Sequence, residues 1–135
     1  MSLTLEQRNL ATAEALYAAT AAGDWDKAES MLSDSLVITE ADTLPYRGSY
    51  TGKGALRALY AKVLGSALGQ ATIEVKGVMA GGANVAYILE LKTVKGDCIE
   101  LVEVFYFGDN GQVTEIKPYY FDSDVVTRAV AQAQG

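Results

Sequence analysis

Two glutamates that stand in rows of apolar residues are the strongest candidates for chemistry in this sequence. The stretch from Cys98 to Phe107 has the β-branched and aromatic composition of a strand and contains neither Gly nor Pro. Because side chains alternate along a strand, Glu103 shares a face with Leu101 and Phe105. A carboxyl group in that place must find a partner or keep its proton, since burying an unpaired charge is costly. Glu103 therefore lies either at the bottom of an apolar pocket or at the rim of the sheet, where it reaches water or a Lys.

Glu40 ends a second row of this kind. The segment Leu36 to Glu40 is typical of a short strand, on which Ile38 and Glu40 share a face. The chain has no His, so acid–base chemistry must come from carboxylates, Tyr, Lys or the single Cys98. Two carboxyl groups in one apolar cavity can hold different protonation states, and one then serves as base and the other as donor. The alternative for Glu40 is a solvated strand end.

The elements that must position these groups follow from periodicity and punctuation. Thr4 and Gln7 form a capping box that begins a first helix, and Gly23 ends that helix. Helices are further predicted over Trp25–Leu32 and from Ala55 to about Gly65, and strands over Leu36–Glu40, Thr72–Met79, Val85–Val94, Cys98–Phe107 and Val113–Phe121. The segment 41–51 is expected to be loop, and 123–135 to be a short helix or a frayed end. Helices that come first and hairpins that come last predict an α+β domain with the helices on one face of the sheet.

The composition restricts the class of partner. With 135 residues the chain is expected to be one domain, 1–135, and its net charge of −6 argues against nucleic acid or an anionic membrane as partner. We find no apolar run of about 18 residues and no signal-peptide pattern at the N-terminus, and one Cys fits a reducing compartment. A cytoplasmic protein is therefore expected.

The order of elements and several motifs resemble the NTF2-like superfamily, in particular its SnoaL-like and ketosteroid-isomerase-like proteins. The resemblance runs from about Glu14 to Phe121. It is carried by the segments Ala22-Gly23-Asp24-Trp25-Asp26, Leu32-Ser33-Asp34, Tyr50-Thr51-Gly52-Lys53-Gly54-Ala55-Leu56-Arg57 and Val104-Phe105-Tyr106-Phe107-Gly108-Asp109-Asn110-Gly111-Gln112-Val113. It implies a cone in which a curved, mixed or antiparallel sheet wraps around three N-terminal helices and encloses an apolar pocket.

The resemblance also implies roles for individual residues. The position of the isomerases' catalytic base falls on Glu40, and the position of their protonated acid falls on Glu103. Glu40, near the mouth, is thus expected to be the ionised base, and the deeper Glu103 the neutral donor. The position of the family's oxyanion Tyr falls on Leu16, with Tyr17 one place along, and one residue turns a helix by about 100°. The expected ligand-binding residues are Tyr17, Tyr60, Leu101, Phe105, Ile116 and Tyr120.

Two function classes follow. The first is a cofactor-free isomerase, cyclase or lyase that moves a proton beside a carbonyl of an apolar small molecule. The second is a non-catalytic module for ligand binding or dimerisation. Neither a cofactor nor a metal is expected. The outer face of the Glu103 strand carries Cys98, Val102, Val104 and Tyr106. Because family members pair through this face, the resemblance implies a homodimer. The strand position of Cys98 on this face places it away from the pocket.

Overall fold

The computed structural model describes residues 4–64 and 70–134 and shows an α+β fold. The elements in chain order are α1 (Leu5–Ala22), α2 (Trp25–Ser30), β1 (Leu32–Glu40), β2 (Gly48–Thr51), α3 (Ala55–Leu64), β3 (Thr72–Gly81), β4 (Asn84–Lys92), β5 (Cys98–Phe107), β6 (Val113–Tyr120) and α4 (Ser123–Gln134). None of the described helices is long and apolar enough to cross a bilayer.

The first helix begins and ends as its sequence predicts. The Thr4 hydroxyl accepts from the Gln7 backbone N–H, and the Gln7 side chain accepts from the Thr4 backbone N–H, which completes the capping box. Gly23 then adopts a left-handed conformation with φ of 73°, and its N–H bonds the carbonyl of Thr20. This conformation suits Gly because it carries no Cβ.

Six strands form one open, mixed sheet in the order β2-β1-β6-β5-β4-β3. All neighbouring pairs are antiparallel except β1 and β6, which run parallel. Helix α1 packs on β3 and β4, whereas α3 packs on β1 and β2. The apolar core lies between these helices and the inner face of the sheet.

Four local expectations need correction or extension. The second helix ends at Ser30, because Leu32 already pairs with Val113 of β6, so β1 begins four residues earlier than expected. Gly48–Thr51 is a strand within the expected loop, since it pairs with the end of β1. The third helix was expected to reach about Gly65, which lies outside the described residues. Segment 123–134 forms the helix α4, whose Val126 and Ala129 are fully buried.

Strand β5 has the bounds and the two faces that its sequence predicts. Ile99, Leu101, Phe105 and Phe107 are buried on the inner face. On the outer face Cys98 is exposed, and the others are exposed or partly exposed. Because β5 lies inside the sheet, with β4 and β6 on either side, its inner face forms the middle of the floor beneath the helices.

Candidate functional site

The strand register brings Glu40 and Glu103 into one row across the sheet. Glu103 stands opposite Tyr87 of β4 and Pro118 of β6. Strands β1 and β6 run in parallel with Ile38 beside Ile116, so two residues further on Glu40 comes beside Pro118. The two glutamates are thus two strands apart, roughly 9.5 Å between their backbones.

Both glutamates line one cavity of about 230 Å³ between the sheet and the helices. All eight residues that the sequence nominated lie in its wall, namely Glu40, Glu103, Tyr17, Tyr60, Leu101, Phe105, Ile116 and Tyr120. Most of the remaining wall is aliphatic: Leu16, Ile38, Leu56, Leu59, Ala71, Ile73, Leu89, Leu91 and Pro118. The cavity is therefore an apolar enclosure with a few polar groups, which is the usual construction of a small-molecule site.

The Glu103 carboxylate has a hydrogen-bond donor within the wall. The Tyr17 hydroxyl donates to Glu103 Oε1 at 3.0 Å, and the Tyr17 ring packs on Tyr87 and Phe105 at 4.6 and 5.6 Å between centroids. Burial raises the pKa of Glu103 to about 6, although the bond from Tyr17 favours the charged form and lowers it. Burial, with the Glu103 charge second, raises the pKa of Tyr17 far above its ordinary value. Tyr17 therefore remains a donor while Glu103 titrates.

Glu40 is also buried, with 5 % of its surface exposed. Among the residues that the structure describes, its Oε2 atom has no hydrogen-bond partner. Burial, followed by the nearby charge of Glu103, raises the pKa of Glu40 to about 8. Burial and the charge of Glu103 favour the protonated form of Glu40, whereas the hydrogen bond from Tyr17 favours the charged form of Glu103.

Tyr17 points into the cavity although it lies one place beyond the expected helix position. Ala13, Leu16, Tyr17 and Thr20 fall at i, i+3, i+4 and i+7, so they form a single stripe on α1. Leu16, Tyr17 and Thr20 all line the cavity. A stripe of this width accommodates two adjacent residues, and Tyr17 can therefore take an inward place beside Leu16.

Tyr46 is a site residue that the sequence did not nominate. It follows β1 in the loop 41–47, is 8 % exposed, and places its hydroxyl 2.9 Å from that of Tyr120. The Tyr50 hydroxyl donates to the Tyr46 carbonyl at 2.7 Å, and Lys62 Nζ donates to Tyr50 at 3.3 Å. Burial raises the pKa of Tyr46 to about 12. The sequence feature that could have indicated this role is a Tyr that follows Pro45 in a polar loop.

The outer face of the sheet holds a separate polar cluster. A carboxylate oxygen of Glu90, the Sγ atom of Cys98 and a carboxylate oxygen of Glu100 lie within 4.8 Å of one another. Lys76 and Lys92 pair with Glu90 at 3.8 and 3.7 Å, so these lysines offset much of its charge. Partial desolvation by its neighbours, together with the hydrogen bond to Glu90, raises the pKa of the exposed Cys98 thiol, which is therefore a weak nucleophile. This cluster faces away from the cavity.

An α+β fold whose helices cover the inner face of a six-stranded mixed sheet is the fold of solved NTF2-like proteins. Residues 13–116 match the model of the SnoaL-like domain. The chain therefore belongs to the SnoaL-like domain family. No protein of curated function matches it significantly.

Three solved structures illustrate the likeness. An NTF2-like protein from Burkholderia xenovorans LB400 is 20 % identical with a TM-score of 0.76, over 93 % of this chain and 97 % of the other. A candidate SnoaL-like polyketide cyclase from Jannaschia sp. CCS1 is 17 % identical with a TM-score of 0.76, over 97 % and 96 %. TerC, co-crystallised with polyporic acid, is 16 % identical with a TM-score of 0.74, over 92 % and 98 %. At these identities the likeness establishes the fold.

Proposed function

We propose that this protein is a cofactor-independent proton-transfer enzyme, an isomerase or cyclase that acts beside a carbonyl of an apolar small molecule. One observation carries the proposal. Two carboxyl groups share an apolar cavity. The Tyr17 hydroxyl donates to Glu103, whereas among the described residues the buried Oε2 of Glu40 has no hydrogen-bond partner. This asymmetry favours Glu103 as the base and Glu40 as the acid, which is the pairing that acid–base catalysis needs.

In this proposal Glu103 removes a proton from the carbon beside the carbonyl. Tyr17 holds the carboxylate in place through its hydrogen bond. Glu40 donates from its unpartnered carboxyl to the carbonyl oxygen, where negative charge develops as the enolate forms. Glu103 then returns the proton to a different carbon, which completes an isomerisation. Alternatively, the enolate carbon attacks a second carbonyl of the same molecule and closes a ring, and the proton held by Glu103 goes to the alkoxide oxygen that this attack forms. The proton and the electron pair are conserved, so this chemistry needs no cofactor.

A second donor is available beside Glu40. In the pair of Tyr46 and Tyr120 hydroxyls one group donates to the other, and the accepting hydroxyl keeps a proton that the pair does not use. Both residues line the cavity. That hydroxyl can donate a hydrogen bond to a ligand oxygen. The relatives support a small-molecule role, since one is a candidate polyketide cyclase and another was crystallised with polyporic acid.

Deuterium exchange into 2-tetralone, a two-ring ketone with acidic hydrogens beside its carbonyl, tests the proposal. Proton NMR in D₂O at pH 7 should show exchange above the buffer rate. Glu103→Gln should lose about 100-fold or more of the enzymatic rate, because an amide cannot accept the proton. Glu100→Gln on the outer face of the same strand is the matched control and should keep the rate. Equal exchange rates for the native protein and Glu103→Gln would show that Glu103 is not the base.

The second candidate is a non-catalytic ligand-binding or dimerisation module. The Tyr17 hydroxyl favours it, because that donor is committed to Glu103 and is not free for a developing oxyanion. The same experiment separates the two classes. A binding module shifts the resonances of 2-tetralone or raises the melting temperature, yet leaves the exchange rate at the buffer value.

We propose in addition that the chain forms a single domain over 1–135 that pairs as a homodimer through the outer sheet face. Val102, Val104 and Tyr106 are partly exposed there, while Tyr119 is 48 % exposed and Ile88 36 %. An apolar surface of this kind on a sheet is typical of an interaction site. We also propose a cytoplasmic setting, because a single free thiol, that of Cys98, on an exposed surface suits a reducing compartment.

A further inference from the structure

The charge lining the cavity is unbalanced. Among the described residues 4–64 and 70–134, Glu40 and Glu103 are the only carboxylic residues in its wall, and no Lys or Arg of these ranges belongs to that wall. All 11 basic side chains of the protein lie within the described residues 4–64 and 70–134, and the sequence of segment 65–69, Gly-Ser-Ala-Leu-Gly, contains no ionisable side chain. No basic side chain therefore offsets the carboxylate charge inside this cavity.

The polar groups of the wall other than the carboxyls are neutral hydroxyls. Tyr17, Tyr46 and Tyr120 keep their protons well above neutral pH because burial disfavours the phenolate. An anion that entered the cavity would meet these donors together with the fixed negative charge of Glu103. In a low-dielectric enclosure, repulsion by that charge outweighs what one or two neutral hydrogen bonds contribute.

The cavity also has a definite capacity. An apolar cavity of about 150 Å³ in another protein holds one benzene molecule. The cavity of about 230 Å³ seen here therefore takes a molecule of about two fused rings. Aromatic rings of Tyr17, Tyr60 and Phe105 in its wall can contact such a ligand and can also face a positive charge.

We infer that the cavity is an anion-excluding site for two-ring molecules that are uncharged or cationic, and that the Glu103 carboxylate is the group that excludes anions. A ligand that is already an acid anion in solution is rejected, whereas a ketone that becomes an enolate only inside the site is accepted. The inference rests on the ligand site of the proposed function and is independent of its catalysis.

Three probes with one ring system test the inference by isothermal titration calorimetry at pH 7: 2-acetylnaphthalene, 2-naphthoate and 2-naphthylmethylammonium. Both ions lose hydration on entering, so the difference between them isolates the field of the cavity. The ammonium and the ketone should bind, and the naphthoate should bind at least about tenfold more weakly than the ammonium. Comparable affinities for the two ions would overturn the inference, and so would failure of all three to bind.

Two variants then assign the effect. Glu103→Gln should reduce the ammonium-to-naphthoate preference to a factor of about three or less, because it removes the charge and keeps the shape. Glu100→Gln makes the same change in net charge on the outer face of β5 and should leave the preference unchanged. A preference that survives Glu103→Gln undiminished would show that another group produces it.

The native protein supplies a test that needs no variant. Lowering the pH from 7 to 5 takes Glu103 through its pKa of about 6, and the preference for the ammonium should shrink. The other titratable groups in the wall around Glu103 are Tyr17 of α1, Glu40 of β1, Tyr46 of the loop, Tyr60 of α3 and Tyr120 of β6, with Tyr87 of β4 opposite it in the register. Burial keeps the hydroxyls of Tyr17, Tyr46, Tyr87 and Tyr120 protonated in this range. Burial also raises the pKa of Glu40 to about 8, so this carboxyl stays mainly protonated. A preference independent of pH would contradict the inference.

The two proposals fail separately. If the charge ranking holds and 2-tetralone does not exchange, the proposed catalysis is wrong and the anion-excluding site stands. If exchange occurs and naphthoate binds as well as the ammonium, the catalysis stands and the site does not select charge.

Discussion

Replacing Glu40 by Gln should change how the stability of the protein depends on pH. The folded state holds the pKa of Glu40 at about 8, against an ordinary value of 4.5. Below pH 4.5 the carboxyl is protonated in both the folded and the unfolded chain, so its ionisation does not lower the unfolding free energy there. As pH rises, the unfolded chain releases the proton while the folded chain retains it, and the unfolding free energy falls until about pH 8.

The expected magnitude is large. Over the interval from pH 4.5 to pH 8, at about 1.36 kcal/mol per pH unit, wild type should lose up to about 5 kcal/mol relative to Glu40→Gln. Domains commonly have only about 5–15 kcal/mol of stability in total. The Gln amide adds a packing and hydrogen-bond offset of its own, but that offset does not depend on pH. The slope of the difference against pH is therefore the quantity to measure.

Urea unfolding of both proteins at intervals from pH 4 to pH 9 provides that slope. Glu100→Gln on the outer face of β5 is the control, and its difference from wild type should vary far less with pH. A flat difference between wild type and Glu40→Gln would show that folding leaves the pKa of Glu40 unchanged, and a wild type that gains stability as pH rises would show that Glu40 is an ionised and paired carboxylate. The assignment of Glu40 as the proton donor would then be refuted.

Three further predictions follow from the same geometry. Tyr17→Phe should raise the pKa of Glu103 above about 6, because it removes the hydrogen bond that favours the carboxylate; a carbon-13 NMR titration that shows no rise would contradict this. Cys98→Ser should leave 2-tetralone exchange unchanged, since the thiol is exposed on the opposite face of β5; a large loss in a folded variant would place it in the site. Light scattering should give twice the 14.4 kDa chain mass for the native protein, and Val104→Lys should shift it toward one chain mass; a native monomer at micromolar concentration would refute the dimer.

Strand alternation and helix periodicity predicted much of this protein. The bounds of β5 and its two faces were predictable because a run of β-branched and aromatic residues has a strict period of two, with one glutamate interrupting the apolar row. The capping box at Thr4 and the left-handed Gly23 were predictable because these motifs are local. Strand β2 was not predicted, because its four residues gain strand structure only by pairing with β1.

The protonation states were beyond the sequence for a related reason. Whether Glu40 or Glu103 ionises first depends on which carboxyl meets a donor, and the donor is Tyr17, 86 residues away from Glu103 in the chain. Tyr46 likewise joins the site through a loop that folds back on Tyr120. Tertiary contacts of this kind produce no periodic pattern in the sequence. The position of a carboxyl along a strand therefore does not predict whether it is ionised.

Among the described residues, strand β3 lies at one edge of the sheet and pairs only with β4. Its side chains affect whether the folded protein aggregates through this edge. Ile73, Val75 and Met79 are each more than half exposed there, at 56, 52 and 53 %. A flat edge with such residues is a template for amyloid-like pairing. The register shift between Val75 and Gly77, with the exposed Lys76 inside it, breaks the regular spacing that a second strand would need. An irregularity with an exposed charge on an edge strand disfavours pairing with a further strand, so a regular strand here would be a better template for such pairing.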